Sequence, residues 1–125
     1  DPYQQTEKGL CEYDEIATFC LMELDATSLY VIRRHEGLAE IYGASDTAVK
    51  AARDYFLRMI NSLPIPSSPK QFIWGSTFSE LDILLTINLD WAKAVGIDLP
   101  NHLAQYRHWI QQRPGYKDGT SRNAA

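Results

Sequence analysis

Hydrophobic side chains recur along the first third of the chain at close to the 3.6-residue period of an α-helix. The pattern predicts one long helix, from Cys11 or Glu12 to Tyr42. A second apolar stripe makes the middle of this helix hydrophobic on nearly every side. We therefore expect it to be covered both by its own domain and by a second surface. The two stripes are Tyr13, Ile16, Cys20, Leu24, Val31, Leu38 and Ile41, and Phe19, Met22, Ala26, Leu29 and Tyr30.

The next periodic segment predicts a helix from about Asp46 to Leu63, capped by Ser45 or Asp46. Residues 64–69 contain three prolines, which cannot continue a helix, so they predict a stiff, extended connection. The predicted buried face of the helix is Val49, Ala52, Phe56, Ile60 and Leu63.

The third helix has the clearest start signal. Ser79 and Asp82 fit a capping box, in which each side chain accepts a hydrogen bond from the backbone N–H of the other residue. Phe78 and Ile83 have the spacing of a hydrophobic staple, and Gly96 suits the left-handed position that ends a helix. Apolar residues cover most of the circumference between these signals, so this helix is predicted to be the core of the domain.

A fourth helix is predicted from about Pro100 to Gln112, with Pro114 as its stop and a loose tail over residues 115–125. No segment has the alternating pattern of a strand. The predicted fold class is therefore all-α, a helical bundle over residues 1–116 followed by a flexible tail over residues 117–125.

Composition and charge narrow the partners. A chain of 125 residues, 45% hydrophobic and 22% charged, fits one globular domain. The net charge of -4 and the lack of a basic tract argue against nucleic acid. No apolar run reaches the roughly 20 residues that span a bilayer, so we expect no membrane segment. Two cysteines and no signal segment predict a cytoplasmic protein. Because the chain opens with Asp1 rather than Met, we interpret it as a piece of a longer protein.

Catalytic and metal-binding patterns are weak. No Glu-x-x-His motif accompanies the three histidines, and His102 and His108 fall on different faces of a helix, so no metal site is predicted. Cys11 and Cys20 are nine positions apart, on opposite faces of the long helix, which is too far for a disulfide. We expect no catalytic residue and no bound cofactor in this chain.

Three features remain open. The segment Arg33-Arg34-His35-Glu36, beside Tyr30, either complements the helix dipole or lines a pocket and orients an anionic ligand. Asp25 lies in the most hydrophobic stretch, so its carboxylate needs a partner, a cleft or a subunit boundary. Trp74-Gly75, before the capped helix, either packs in the core, which is the interpretation that we favour, or belongs to a site.

From about Tyr13 to Tyr116 the chain resembles the all-helical C-terminal domain of cytosolic glutathione transferases, bacterial members in particular. The likeness depends on Phe72-Ile73-Trp74-Gly75 followed by the capping segment Phe78-Ser79-Glu80-Leu81-Asp82-Ile83. It also depends on the long-helix segment at 23–34 and on His102-Leu103-Ala104-Gln105-Tyr106-Arg107 with Arg113-Pro114. Leu81 departs from the family, which commonly has a small residue before the acid.

The resemblance implies that a preceding thioredoxin-like domain is absent from this chain. That domain binds glutathione, the co-substrate, and carries the residue that activates its thiol, so the parent would be an enzyme and this chain alone would be inactive. The family's hydrophobic electrophile site falls on Tyr30, Val31, Arg34 and His35, and Asp25 takes the place of an acid that contacts glutathione across a homodimer. Ser79 and Asp82 match the family's capping pair, whose role is in folding.

Two other interpretations remain. Transferase-like helical domains also serve as non-catalytic modules in translation and multi-synthetase assemblies. A helical bundle with a coincidental likeness is the third alternative.

Overall fold

The computed structural model describes residues 2–63, 68 and 70–124. The secondary-structure elements in these ranges are α-, π- and 3₁₀-helices, and the described residues contain no strand. The all-α prediction is confirmed. The predicted proline-rich connection at 64–69 lies outside the described residues, Ser68 excepted.

The predicted long helix is present as a run of helical segments of different pitch. Residues 20–29 and 33–37 close π-type turns, and the N–H of Tyr30 accordingly bonds the carbonyl of Asp25, five residues back. Leu38 interrupts the run with a turn. The segments are α1 (Glu7–Phe19), π1 (Cys20–Leu29), α2 (Tyr30–Ile32), π2 (Arg33–Gly37) and α3 (Ala39–Tyr42).

The long helix starts earlier than predicted. It begins at Glu7, not at Cys11 or Glu12, because Thr6 is its N-cap and accepts a 3.0 Å hydrogen bond from the Gly9 N–H. A Thr N-cap is a recognised helix start, but the apolar periodicity sets in only further along the chain.

Helix α4 (Asp46–Ser62) follows the prediction closely. The Ser45 hydroxyl accepts from the Ala48 N–H at 3.2 Å and caps its first turn. All five positions of the predicted buried face are buried: Val49, Ala52, Phe56, Ile60 and Leu63.

Helix α5 (Glu80–Ala94) is central, as predicted, but it is not covered all round. Ile83 and Ile87 are 45% and 55% exposed on one face. Gly96 follows the C-cap Val95, and its φ of +81° is the left-handed conformation expected just after a helix. The Ile97 N–H bonds the carbonyl of Ala92, which completes a Schellman-type end.

The C-terminal segment differs from the prediction. Helix α6 (Asn101–Gln111) ends before Pro114, as expected, but a further helix α7 (Pro114–Asn123) takes the place of the loose tail. Proline is favoured at the first position of a helix, where its missing N–H costs nothing, so the same residue that stops α6 also starts α7. The Tyr116 hydroxyl donates to Asp90 at 2.8 Å and fastens α7 to α5.

The core lies where α5 packs between π1 and α6, with α4 against the other side of π1. None of the helices in the described ranges is long and apolar enough to cross a bilayer. The side chains that are almost completely buried include Leu24, Leu29, Ile32, Phe56, Ile60, Leu81, Leu85, Leu89, Leu103 and Tyr106.

Candidate functional site

Two exposed tyrosine rings flank one guanidinium at the end of the long helix. The Arg34 guanidinium carbon lies 4.6 Å from the ring centroid of Tyr42 and 6.0 Å from that of Tyr30. Contacts of this kind contribute about 0.5–1 kcal/mol at exposed positions and keep the long side chain extended over the rings. No carboxylate among the described residues pairs with Arg34. We call Tyr30, Arg34 and Tyr42 the aromatic cluster.

The four residues predicted to line an electrophile site divide into two pairs. Tyr30 and Arg34 are exposed and in contact with each other, whereas Val31 is half-buried and packs against the core. The His35 Nδ1 lies 2.9 Å from the carbonyl oxygen of Gly43. Because a carbonyl only accepts, Nδ1 carries the proton in this bond, and His35 holds the turn that follows α3.

Tyr42 is the member of the cluster that the sequence analysis missed. It lies eight residues after Arg34, but the turn at Leu38 interrupts the helix between them. Regular helical spacing therefore does not account for the contact, and Tyr42 stood in the sequence only as the end of the predicted helix.

A second arginine fixes the same end of the long helix to the rest of the domain. Arg53 on α4 donates to both carboxylate oxygens of Glu36, at 3.1 and 3.2 Å, and to the carbonyl of Val95 at the end of α5. Glu36 is thereby paired with Arg53. Its carboxylate therefore does not compensate the positive charge of Arg34, two residues earlier in the chain. The aromatic cluster is therefore a cationic, aromatic surface on a fixed support.

Asp25 is half-buried on π1, and its carboxylate makes no hydrogen bond or ion pair with the described residues. The acid two positions earlier is engaged, because the Tyr55 hydroxyl donates to the Glu23 carboxylate. The Ser28 hydroxyl donates to the backbone carbonyl of Glu23 at 2.6 Å. The hydrogen bond to Glu23 raises the pKa of Tyr55. Around Asp25, the side chains of Leu21 and Met22 are exposed.

The capping pair is present at the start of α5. The Asp82 carboxylate accepts from the Ser79 N–H at 3.0 Å, and the Ser79 hydroxyl accepts from the backbone N–H of Asp82, as predicted, and from that of Leu81 at 3.3 Å. Asp82 is completely buried, where it also accepts from the Ile73 N–H at 3.0 Å and from the Tyr106 hydroxyl at 2.6 Å. Its role is structural, as predicted, and extends well beyond the cap.

Trp74 also packs as predicted. Its indole N–H donates to the Gly9 carbonyl at 3.1 Å, and its ring meets that of Tyr13 edge-on, with centroids 4.9 Å apart. Phe72 packs against Trp109, with centroids 4.9 Å apart, and so ties the segment before α5 to α6.

The described residues contain no cluster of His, Cys, Asp and Glu that could hold a metal ion. Both cysteines are free thiols. Cys20 is buried, which raises the pKa of its thiol to about 11 and leaves it protonated at neutral pH. Cys11 is exposed.

No protein-family model, curated protein or solved structure matches this chain.

Proposed function

We propose that this chain is the helical C-terminal domain of a glutathione transferase-like protein and forms one wall of its site for a hydrophobic electrophile. The observation that carries the proposal is the aromatic cluster. Its exposed rings and unpaired guanidinium lie at the end of the long helix, where the sequence resemblance puts the electrophile site. An aromatic wall of this kind suits a flat, apolar substrate.

The chemistry divides between two domains. A thioredoxin-like domain in the parent protein would supply glutathione as its thiolate, and the helical domain would hold the electrophile beside the sulfur, which removes much of the entropic cost of the encounter. With a chloronitrobenzene, the sulfur forms a bond to the ring carbon, the carbon–chlorine bond breaks and chloride leaves. The Arg34 guanidinium favours the negative charge that the ring carries between these events.

Asp25 and its surroundings support a homodimer. A half-buried carboxylate with no partner in the described part of the chain, bordered by exposed Leu21 and Met22, is typical of a surface that a second subunit covers. In the proposed dimer Asp25 contacts the glutathione bound to the other subunit. The carboxylate of Glu23, two residues earlier, is not available for this contact, because it already accepts a hydrogen bond from Tyr55.

The proposal is tested by assaying the full-length parent and this chain side by side for conjugation of glutathione to 1-chloro-2,4-dinitrobenzene. We expect turnover by the parent and none by the chain. An Arg34→Gln variant of the parent should lower kcat/KM for the electrophile and leave KM for glutathione unchanged. Lys50→Gln, which removes an exposed cation of α4 paired with Asp54, is the matched control and should leave both unchanged.

A parent that neither conjugates nor binds glutathione would overturn the proposal and favour the non-catalytic assembly module. If the parent conjugates glutathione but Arg34→Gln and Lys50→Gln change its kcat/KM equally, the aromatic cluster is not part of the electrophile site.

A further inference from the structure

A cavity of about 380 Å³ lies where α5, the end of α6 and the start of α7 meet. This volume is within the range of small-molecule sites. Its walls are mainly apolar and include the two isoleucines that α5 leaves exposed. The lining includes Phe78, Ile83, Ile87, Arg113, Gly115 and Tyr116. The cavity shares no residue with the aromatic cluster at the end of the long helix.

Arg113 is the one cation among the residues that line this cavity. Its guanidinium carbon lies 3.8 Å above the centroid of the Phe78 ring and 5.9 Å from that of Phe72, so aromatic faces hold it in place. It is half-buried, and no carboxylate of the described residues pairs with it. A partly desolvated guanidinium with free donors is suited to a carboxylate, which matches its planar fork.

The nearby acid on α5 does not compete for Arg113. Asp90 pairs with Arg107 at 2.5 Å and accepts from the Tyr116 hydroxyl at 2.8 Å and from the Gln111 side chain at 3.3 Å. These bonds compensate the charge of Asp90 and fix the Tyr116 ring as a wall of the cavity. The cavity thus combines an apolar body, a rigid aromatic side and one uncompensated positive charge.

We propose that this cavity binds a small carboxylate with an apolar body, such as an aryl- or alkyl-substituted short-chain acid. The carboxylate lies against the Arg113 guanidinium, and the apolar body lies along Ile83 and Ile87. Charge complementarity selects this ligand over a neutral one, since a purely apolar molecule would leave the guanidinium without a partner. The inference is independent of the proposed transferase function.

The test is a titration of this 125-residue chain with 3-phenylpropionate and, as the neutral counterpart, 3-phenylpropanamide, followed by NMR of isoleucine methyl groups. Saturable shifts should appear at Ile83 and Ile87 and not at Ile41, an exposed isoleucine of α3 outside the cavity. The carboxylate should bind about fivefold to tenfold more tightly than the amide. Arg113→Gln should abolish that preference.

A second pair of variants keeps the test independent of Arg113. A Cβ at Gly115 meets no atom within 4 Å, and the same is true at Gly119 on the same helix. Gly115→Leu places a side chain at the cavity wall and should weaken binding of both probes, whereas Gly119→Leu should not. Far-ultraviolet circular dichroism checks that each variant is folded.

Absence of saturable shifts at Ile83 and Ile87 would overturn the proposal. Equal affinity for acid and amide would do the same, and would mark the cavity as a contact surface for an uncharged partner. Equal weakening by Gly115→Leu and Gly119→Leu would show that the probes bind elsewhere.

Discussion

The Tyr106 hydroxyl on α6 donates a 2.6 Å hydrogen bond to Oδ1 of Asp82 on α5, and both side chains are buried. The same carboxylate accepts from the backbone N–H groups of Ile73 and Ser79. One side chain therefore joins the segment before α5, the first turn of α5 and the middle of α6. Burial and the neighbouring Asp82 raise the pKa of Tyr106, so its hydroxyl remains a donor.

Asp82→Ala is expected to cost more than the loss of a helix cap. A cap alone is worth about 1 kcal/mol, but this substitution also leaves the Ile73 N–H and the Tyr106 hydroxyl buried without an acceptor, at about 1–3 kcal/mol each. We expect a fall of at least about 3 kcal/mol in the free energy of unfolding, measured with urea. Ser79→Ala, which removes only the cap, should cost about 1 kcal/mol. Equal losses for the two variants would contradict the shared role of Asp82.

The sequence predicted the capping pair because its residues are three apart, where local rules apply. It could not predict Tyr106 or Ile73 as partners of Asp82, since they are 24 and 9 residues away and a single sequence does not reveal such pairings. In the sequence, Tyr106 stood out only as part of the closing segment of the family resemblance.

The candidate site, too, could be predicted from the sequence only where its residues are close neighbours along the chain. Arg34 and Tyr30 were found because they are neighbours on one helix, four residues apart. Two other contacts could not be predicted: the hydrogen bond of His35 with Gly43 and the ion pair of Glu36 with Arg53. Each depends on the turn at Leu38 and on how α4 returns alongside the long helix. The π-type turns of π1 have no sequence signal that we recognise.

Cys20 should make the protein less stable at high pH. Burial raises the pKa of its thiol from 9.0 to about 11. Between these values the unfolded chain has released the proton and the folded chain retains it, so the unfolded state binds fewer protons and stability falls as pH rises. The expected loss is about 1.4 kcal/mol per pH unit, measured by urea unfolding in a reducing buffer.

Cys20→Ala should remove this part of the pH dependence between pH 9 and 11. The exposed thiol provides the control, because Cys11→Ala should leave the slope unchanged. Tyr106 adds its own loss above pH 10 in every variant, so the difference between variants is the quantity to compare. Identical slopes for the two variants would show that the Cys20 thiol ionises as readily in the folded chain as in the unfolded one.

Gly9→Ala should destabilise the start of the long helix, although alanine favours helices. A Cβ at this position would lie 2.1 Å from the backbone oxygen of Tyr3, which must then move. We expect a loss of about 1–3 kcal/mol in thermal or urea unfolding. Gly119→Ala is the matched control, since its Cβ meets nothing within 4 Å and should add about 0.5–1 kcal/mol. If Gly9→Ala left the free energy of unfolding unchanged, the backbone oxygen of Tyr3 would not lie against Gly9 as the structure has it.

Met22→Glu should weaken the proposed homodimer. Met22 is 53% exposed beside Asp25, and a second negative charge on that surface would repel its copy across a two-fold axis. Light scattering after size-exclusion chromatography should show a shift from dimer to monomer. Ile87→Glu, which removes a side chain of similar exposure from α5, should leave the dimer intact. A chain that is monomeric before substitution would contradict this prediction.

Tyr30→Ala in the full-length protein should raise KM for a hydrophobic electrophile while changing the melting temperature little. Tyr30 is 39% exposed, and its ring contacts Arg34 rather than the core, so its removal creates no buried cavity. Tyr3→Ala is the control, because Tyr3 is 37% exposed at the opposite end of the long helix. Kinetics with 1-chloro-2,4-dinitrobenzene, paired with thermal unfolding, separate the two roles. If the loss of activity follows the loss of stability in both variants, the Tyr30 ring contributes to packing and not to substrate binding.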